Sequence, residues 1–174
     1  MKLPEEPGRF RYSEVYFGRA GPTESARMQL TQFSDYSLRV LLYLTARPER
    51  WVPLPEISRA YGVSQNHLVK VAQMLQTQGY VESLRGRAGG VRLAKAASSI
   101  NVGAVVRATE PHLNLVECFD SRLNTCPIDA ACGLKGALLA AQKAFLRELD
   151  RFTLADFAPK APALIKLWNR KLGD

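Results

Sequence analysis

No run of apolar residues in this chain approaches the roughly 20 needed to cross a bilayer; the longest lies around Val40–Ala46. The N-terminus also lacks the basic patch and apolar run of a secretory peptide. The expectation is a cytoplasmic protein with no membrane partner. Histidine is scarce, with only His67 and His112 among 174 residues. No nucleophile–base pair stands out, and no glycine loop sits between a strand and a helix to cradle a cofactor phosphate, so an enzyme is not expected. Cysteine is sparse too: Cys118, Cys126 and Cys132 are the whole supply, an odd count confined to fifteen residues. That clustering argues against a disulfide framework and for a metal or redox site.

What the chain has in excess is positive charge, a formal +8 with a pI near 9.7. Nucleic acid, anionic membrane and acidic protein all suit that excess, and its distribution narrows the choice. Residues 28–100 hold nine Lys/Arg against four Asp/Glu, whereas residues 101–174 hold ten against eight. The surplus lies in the first half of the body, where a DNA-reading element should be sought.

Residues 1–27 show neither helical nor strand periodicity and read as a flexible N-terminal extension, or as sequence upstream of a natural start at Met28. From Thr31 the pattern turns helical, with Phe33, Val40, Leu41 and Leu44 at helical spacing and Pro48 ending the run. A short second helix fits Leu54–Tyr61, and Gly62 suits the left-handed position that ends it. Ser64 is a natural cap for a third helix over Gln65–Gln78, closed by Gly79. Helix, glycine turn and capped helix form a helix-turn-helix. Tyr80–Leu84 and Val91–Leu93, joined by a Gly- and Arg-rich turn, predict a hairpin, which after a helix-turn-helix is a wing. The expected fold is therefore mostly α with a small β-hairpin (α+β): a winged helix-turn-helix over residues 28–110. A cysteine-rich loop follows at 111–133, then a dimerisation helix and a C-terminal helix over 130–174. The long helix, from about Ala130 to Arg151, lines Leu134, Leu138, Ala141, Phe145 and Leu149 on one face. It is too long to bury that face on a small winged domain alone, so a homodimer is expected.

The first side chains of a recognition helix point into the major groove. Here they are Gln65, Asn66, His67 and Lys70, preceded by the Ser64 cap. Gln and Asn can pair with adenine through donor and acceptor together, and Lys reaches guanine or phosphate. On the wing, Arg85 and Arg87, with Arg92 nearby, suit a narrow minor groove.

Thiolates are soft ligands for iron–sulfur clusters and zinc. The close Cys-x2-Cys pairs of zinc ribbons and fingers are absent. Gaps of seven and five residues suit a larger group whose fourth ligand comes from elsewhere, with His112 a candidate on spacing alone. A disulfide switch between two of the thiols, free thiols and a zinc-stabilised adaptor remain open.

Three segments carry a more specific pattern: MQLTQFSDYSLRVLLYLTARPE, ISRAYGVSQNHLVKVAQMLQTQGYV and RGRAGGVRLAKAASSINVGAVVRATEP. Together they resemble the IscR/NsrR family of winged-helix iron–sulfur transcription regulators, over Met28 to about Trp168. SDYSLR, SQNHLVK, TCPIDAACGLKGAL and LDRFTLADF look like its nitric-oxide-sensing branch. The resemblance implies an iron–sulfur cluster, 4Fe–4S preferred and 2Fe–2S the alternative, on Cys118, Cys126 and Cys132. It also implies a fourth ligand at Asp35, from the other protomer. Asp35 has a plain reading too, as a first-turn acid favoured by the helix dipole. The cluster-supply-sensing branch has a histidine three residues after the last cysteine, where this chain has Lys135. The resemblance thus implies a repressor of a near-palindromic double-stranded operator, with nitric oxide as effector; a sensor of iron or cluster supply is the alternative.

Overall fold

The structure, a computed structural model, describes residues 29–48, 50–86 and 89–173. The expected N-terminal extension and Arg87 of the wing lie outside the described residues.

Helix α1 (Gln32–Thr45) is the spine of the body. Thr31 caps it, its hydroxyl accepting the Ser34 N–H at 3.2 Å. Val40, Leu41, Tyr43 and Leu44, on its inner side, are at most 1% exposed. Helix α2 (Leu54–Tyr61) ends at Gly62, whose φ of +67° is strained for any residue with a side chain. Ser58 locks the turn, its hydroxyl donating to the Val63 carbonyl at 2.6 Å. Helix α3 (Gln65–Thr77) follows, burying Leu68, Val71, Ala72 and Leu75. These three helices form the expected helix-turn-helix, packed so that α3 lies on both α1 and α2.

Strands β1 (Val81–Leu84) and β2 (Gly90–Leu93) pair antiparallel, with Val81 opposite Leu93 and Leu84 opposite Gly90. A third piece of chain joins them: Val52 bridges to Val91, exchanging two backbone hydrogen bonds at 2.9 Å. The sequence pattern did not show this bridge, and it explains Gly90. A β-carbon there would sit 2.5 Å from the Val52 carbonyl oxygen, so only glycine lets the linker approach.

Helix α4 (Val102–Thr109) is capped by Asn101, whose side-chain oxygen accepts the Ala104 N–H at 2.9 Å. The long helix α5 (Gly133–Asp150) starts three residues later than the periodicity predicts. Asp129–Ala131 forms a separate 3-10 turn, and Cys132 is extended (φ −80°, ψ 104°), so the helix cannot run through it. The base of α5 is fixed to α4 by a double ion pair between Arg107 and Asp150, both contacts 2.6 Å. A 3-10 segment (Leu154–Lys160) leads to α6 (Ala161–Leu172), which returns to the body. There Trp168 is 6% exposed, with its ring 4.6 Å from Tyr43 and 5.7 Å from Tyr61.

The fold is mostly helical with one small hairpin, as expected. Among the described residues, no helix is long and apolar enough to cross a membrane.

Candidate nucleic-acid interface and sensing segment

Every polar residue proposed for α3 is exposed: Ser64, Gln65, Asn66, His67 and Lys70. They do not all face the same way. With about 100° between successive residues, the direction opposite the buried Leu68, Val71, Ala72 and Leu75 is held by Asn66, Lys70 and Gln73. Gln73, exposed and one turn beyond Lys70, was not among the sequence candidates, which stopped at Lys70. His67 turns toward α1 and stacks on Tyr36, ring centroids 6.2 Å apart and planes at 29°. Ser64 starts the helix through its backbone: its carbonyl accepts the N–H groups of His67 and Leu68, while its hydroxyl makes no capping bond. On the wing, Arg85 is exposed. Arg92 is held at the wing's base by Glu82 and over the Trp51 ring, 4.3 Å from its centre. Trp51 thus braces a wing arginine, a role visible only once the linker is seen to run along β2.

The cysteine segment is short turns rather than regular structure. Cys118 lies in a 3-10 turn (Glu117–Phe119), Cys126 in the loop after it, and Cys132 at the start of α5. All three are unpaired and half-buried. Lys135, in the first turn of α5, is held by Asp129 at 2.6 Å and lies within electrostatic reach of Cys118 and Cys132. The Asp129 hydrogen bond, aided by those two sulfurs, holds the Lys135 pKa above its ordinary value. His112 instead neighbours Asp120, whose carboxyl is held low chiefly by Arg122. Among the described residues, no three or more His, Cys, Asp or Glu side chains converge closely enough to grip a metal ion. The donor chemistry is nonetheless that of a soft-metal group: three unpaired, half-buried thiols carried on short turns and at the residue before α5.

Asp35 stands apart, one turn into α1. Arg39 grips it as a fork, at 2.8 Å from Nε to Oδ1 and 2.6 Å to Oδ2. The Arg39 guanidinium also lies 5.7 Å from the ring centres of both Tyr36 and Tyr61. A cleft of about 590 Å³ opens here, lined by Gln29, Leu30, Gln32, Asp35, Arg39 and Tyr61 among others. A second set of contacts links α1 to the chain entering the cysteine segment. The Glu110 carboxylate accepts the Thr31 N–H at 2.8 Å, and the Thr109 and Ser34 hydroxyls meet at 2.7 Å in a buried bond.

Comparison with known proteins bears on both regions. The sequence pattern of Rrf2, described as an iron-dependent transcriptional regulator, matches residues 30–160. The HTH-type transcriptional regulator NsrR of Bacillus subtilis (strain 168) is 46% identical over 145 residues, spanning 83% of this chain and 99% of that protein. The regulator of the same name from Halalkalibacterium halodurans is 46% identical over 144 residues, 80% of this chain and 99% of that one. Among solved structures, CymR, the global cysteine regulator of B. subtilis, superposes with a TM-score of 0.61 at 24% identity, covering 76% of this chain and 98% of that chain. T. potens IscR gives 0.61 at 24%, covering 77% and 88%. At that identity the structures speak for the winged fold alone. The sequence matches carry the function class: this is a DNA-binding transcription regulator and not an enzyme. With its matched segment running from the start of α1 to the end of the 3-10 segment before α6, the chain belongs to the Rrf2 family of iron-dependent transcriptional regulators.

Proposed function

We propose that this protein is a cytoplasmic homodimeric repressor that holds an iron–sulfur cluster, binds a near-palindromic double-stranded operator, and releases it on exposure to nitric oxide. The observation that carries the reading is the joint between the two regions. The segment bearing three unpaired thiols follows a helix whose last residue, Thr109, and the Glu110 after it are hydrogen-bonded to the start of α1. Resemblance to the nitric-oxide-sensing branch supports the effector, and 46% identity to two NsrR regulators supports the repressor class.

The residues that would hold the cluster are Cys118, Cys126, Cys132 and the partner subunit's Asp35, with 4Fe–4S the proposed form. A bound cluster supplies iron, the atom to which nitric oxide binds. The chain's own contribution is a carboxylate free to change partners. An exposed i,i+4 ion pair such as Asp35–Arg39 is worth less than about 1 kcal/mol, so little energy keeps Asp35 on its own helix. Engaged across the dimer, Asp35 would tie α1 to the partner subunit; held by Arg39 it leaves α1 without that tie, and the separation of the two recognition helices would then not be fixed through it. DNA reading then rests on Asn66, Lys70, Gln65 and Ser64 of α3, with His67 at its α1 side and Arg85 and Arg87 on the wing. A difference of about 3 kcal/mol between the two states already changes operator affinity more than a hundredfold.

Anaerobic footprinting before and after nitric oxide tests the reading. Protection is expected to vanish with nitrosylation, and undiminished protection overturns it. Asp35→Ala should keep the thiol-held cluster with an altered absorbance spectrum; an identical spectrum and response rejects Asp35 as ligand. The family's description as iron-dependent favours a second reading, a sensor of iron or cluster supply. Under that reading, iron starvation rather than nitric oxide is the condition that derepresses the target genes.

A further inference from the structure

Between α3 and the wing runs a groove of about 310 Å³, onto which Gln73 alone of the outward row Asn66, Lys70 and Gln73 opens. Its floor is apolar and closed: Ala72 and Val91 are 6% and 2% exposed. Two of its lining residues are joined, the Ser83 hydroxyl donating to the Gln76 side-chain oxygen at 2.6 Å. Two apolar side chains face outward along its walls, Val69 from α3 at 36% exposure and Leu84 from β1 at 46%. Within α3, Val69 is the single apolar residue among the exposed ones; Gln65, Asn66, His67, Lys70, Gln73, Gln76 and Thr77 are all polar. One exposed valine on a soluble protein would need no explanation. A β-branched residue gains nothing as a helix former here, however, and it stands beside Asn66 and Gln73 on the flank that faces the wing.

A helix-turn-helix lays its recognition helix in the major groove, and here the wing stands beside α3 on the flank that carries Val69. The major groove offers one apolar feature to a protein, the C5-methyl group of thymine. We propose that Val69 reads a thymine methyl group in each half-site, with Leu84 screening the contact from water on the wing side. Val69 is thereby a specificity-determining residue distinct from the hydrogen-bonding row Asn66–Lys70–Gln73. The proposal rests on the DNA-binding reading above and refines it.

The test replaces single methyl groups on the DNA. The cluster-loaded protein is used anaerobically to select a duplex from a random pool, and each thymine of that duplex is then replaced in turn by uracil. Dissociation constants are measured by fluorescence anisotropy for the wild type and for Val69→Ala, an exposed position whose truncation leaves the core intact. In the wild type, one thymine per half-site should weaken binding about fourfold on replacement, the factor one buried methyl group is worth. Val69→Ala, whose single methyl reaches less far, should discriminate the thymine and uracil duplexes less than half as strongly as the wild type. The inference falls if no thymine is sensitive, or if the sensitive one stays as sensitive in Val69→Ala as in the wild type. A protein that selects no duplex at all overturns the DNA-binding reading itself, a result distinct from binding without uracil sensitivity.

Discussion

Leu41 and Leu134 are both leucines in regular helices, yet the first is completely covered and the second is 65% exposed. The contrast holds for the elements around them. Helix α1 buries seven of its fourteen residues, whereas α5, with eighteen, buries none. The winged body closes its own core with α6, through Trp168 on Tyr43 and Tyr61. The arm of cysteine segment and α5 is fixed at its base by Arg107–Asp150, and Gln142 donates to the Leu113 carbonyl to strap the segment to the helix. Its apolar side chains, Leu123, Ile128, Leu134 and Phe145, stay in water. A chain built this way carries its stability in the winged body and leaves the apolar side chains of the arm uncovered.

The largest effect should come from removing the same atoms on the two sides of that contrast. Leu41→Ala empties a packed site and is expected to lower the unfolding free energy by about 3 kcal/mol. Leu134→Ala removes an exposed side chain and should stay within roughly 0.5 kcal/mol when measured on the monomer. Urea unfolding followed by circular dichroism reads both, and equal costs would erase the distinction between body and arm.

Phe145→Asp sharpens it from the other side. On the proposed dimer, a charge on the exposed face of α5 should raise the dimer dissociation constant at least roughly thirtyfold, the loss typical of an aromatic anchor at an interface. Sedimentation equilibrium reads the change, and the monomer should unfold at the urea concentration of the wild-type monomer. A dimer unaffected by this charge would mean that α5 is not the face that pairs.

Much of the body was legible because its signals are local. Gly62 and Ser64 mark helix ends through single-residue geometry, and the apolar spacing of α1 points to its inner face. The bridge of Val52 to Val91 was not legible: one residue between Trp51 and Pro53 has no periodicity, and its partner is 39 positions away. The same holds for Trp168 over Tyr43, a contact set by how α6 folds back. In the candidate interface, residue types were readable but directions were not; His67 turned to Tyr36, and Gln73 joined the outward row. The thiols stand out in the sequence by count and spacing, though the structure does not bring three donors together among the described residues, whereas Asp35 entered through family resemblance alone. Its hold on Arg39 is an i,i+4 pair that helical spacing allows.

The smallest effect is electrostatic, and it separates the regions by pH. In the body, burial pushes the Glu56 carboxyl up, but the Tyr43 hydroxyl at 2.7 Å and the Arg50 and Arg47 guanidiniums more than offset it, holding its pKa below the usual carboxylate value. A depressed folded-state pKa means the unfolded chain binds this proton more readily. The contribution is therefore fully present above the unfolded value, near 4.3 for glutamate, and is lost as pH falls through the lower folded value. In the arm, Asp120 is also held low, by Arg122, but the arginine of that pair is 86% exposed and water screens the interaction. Stability measured by urea unfolding should thus fall on acidification below about pH 4.3 less steeply in Glu56→Gln than in the wild type. Asp120→Asn should leave the wild-type slope unchanged. A slope that follows Asp120 rather than Glu56 would place the acid-sensitive contact in the arm, and with it a share of the stability assigned here to the body.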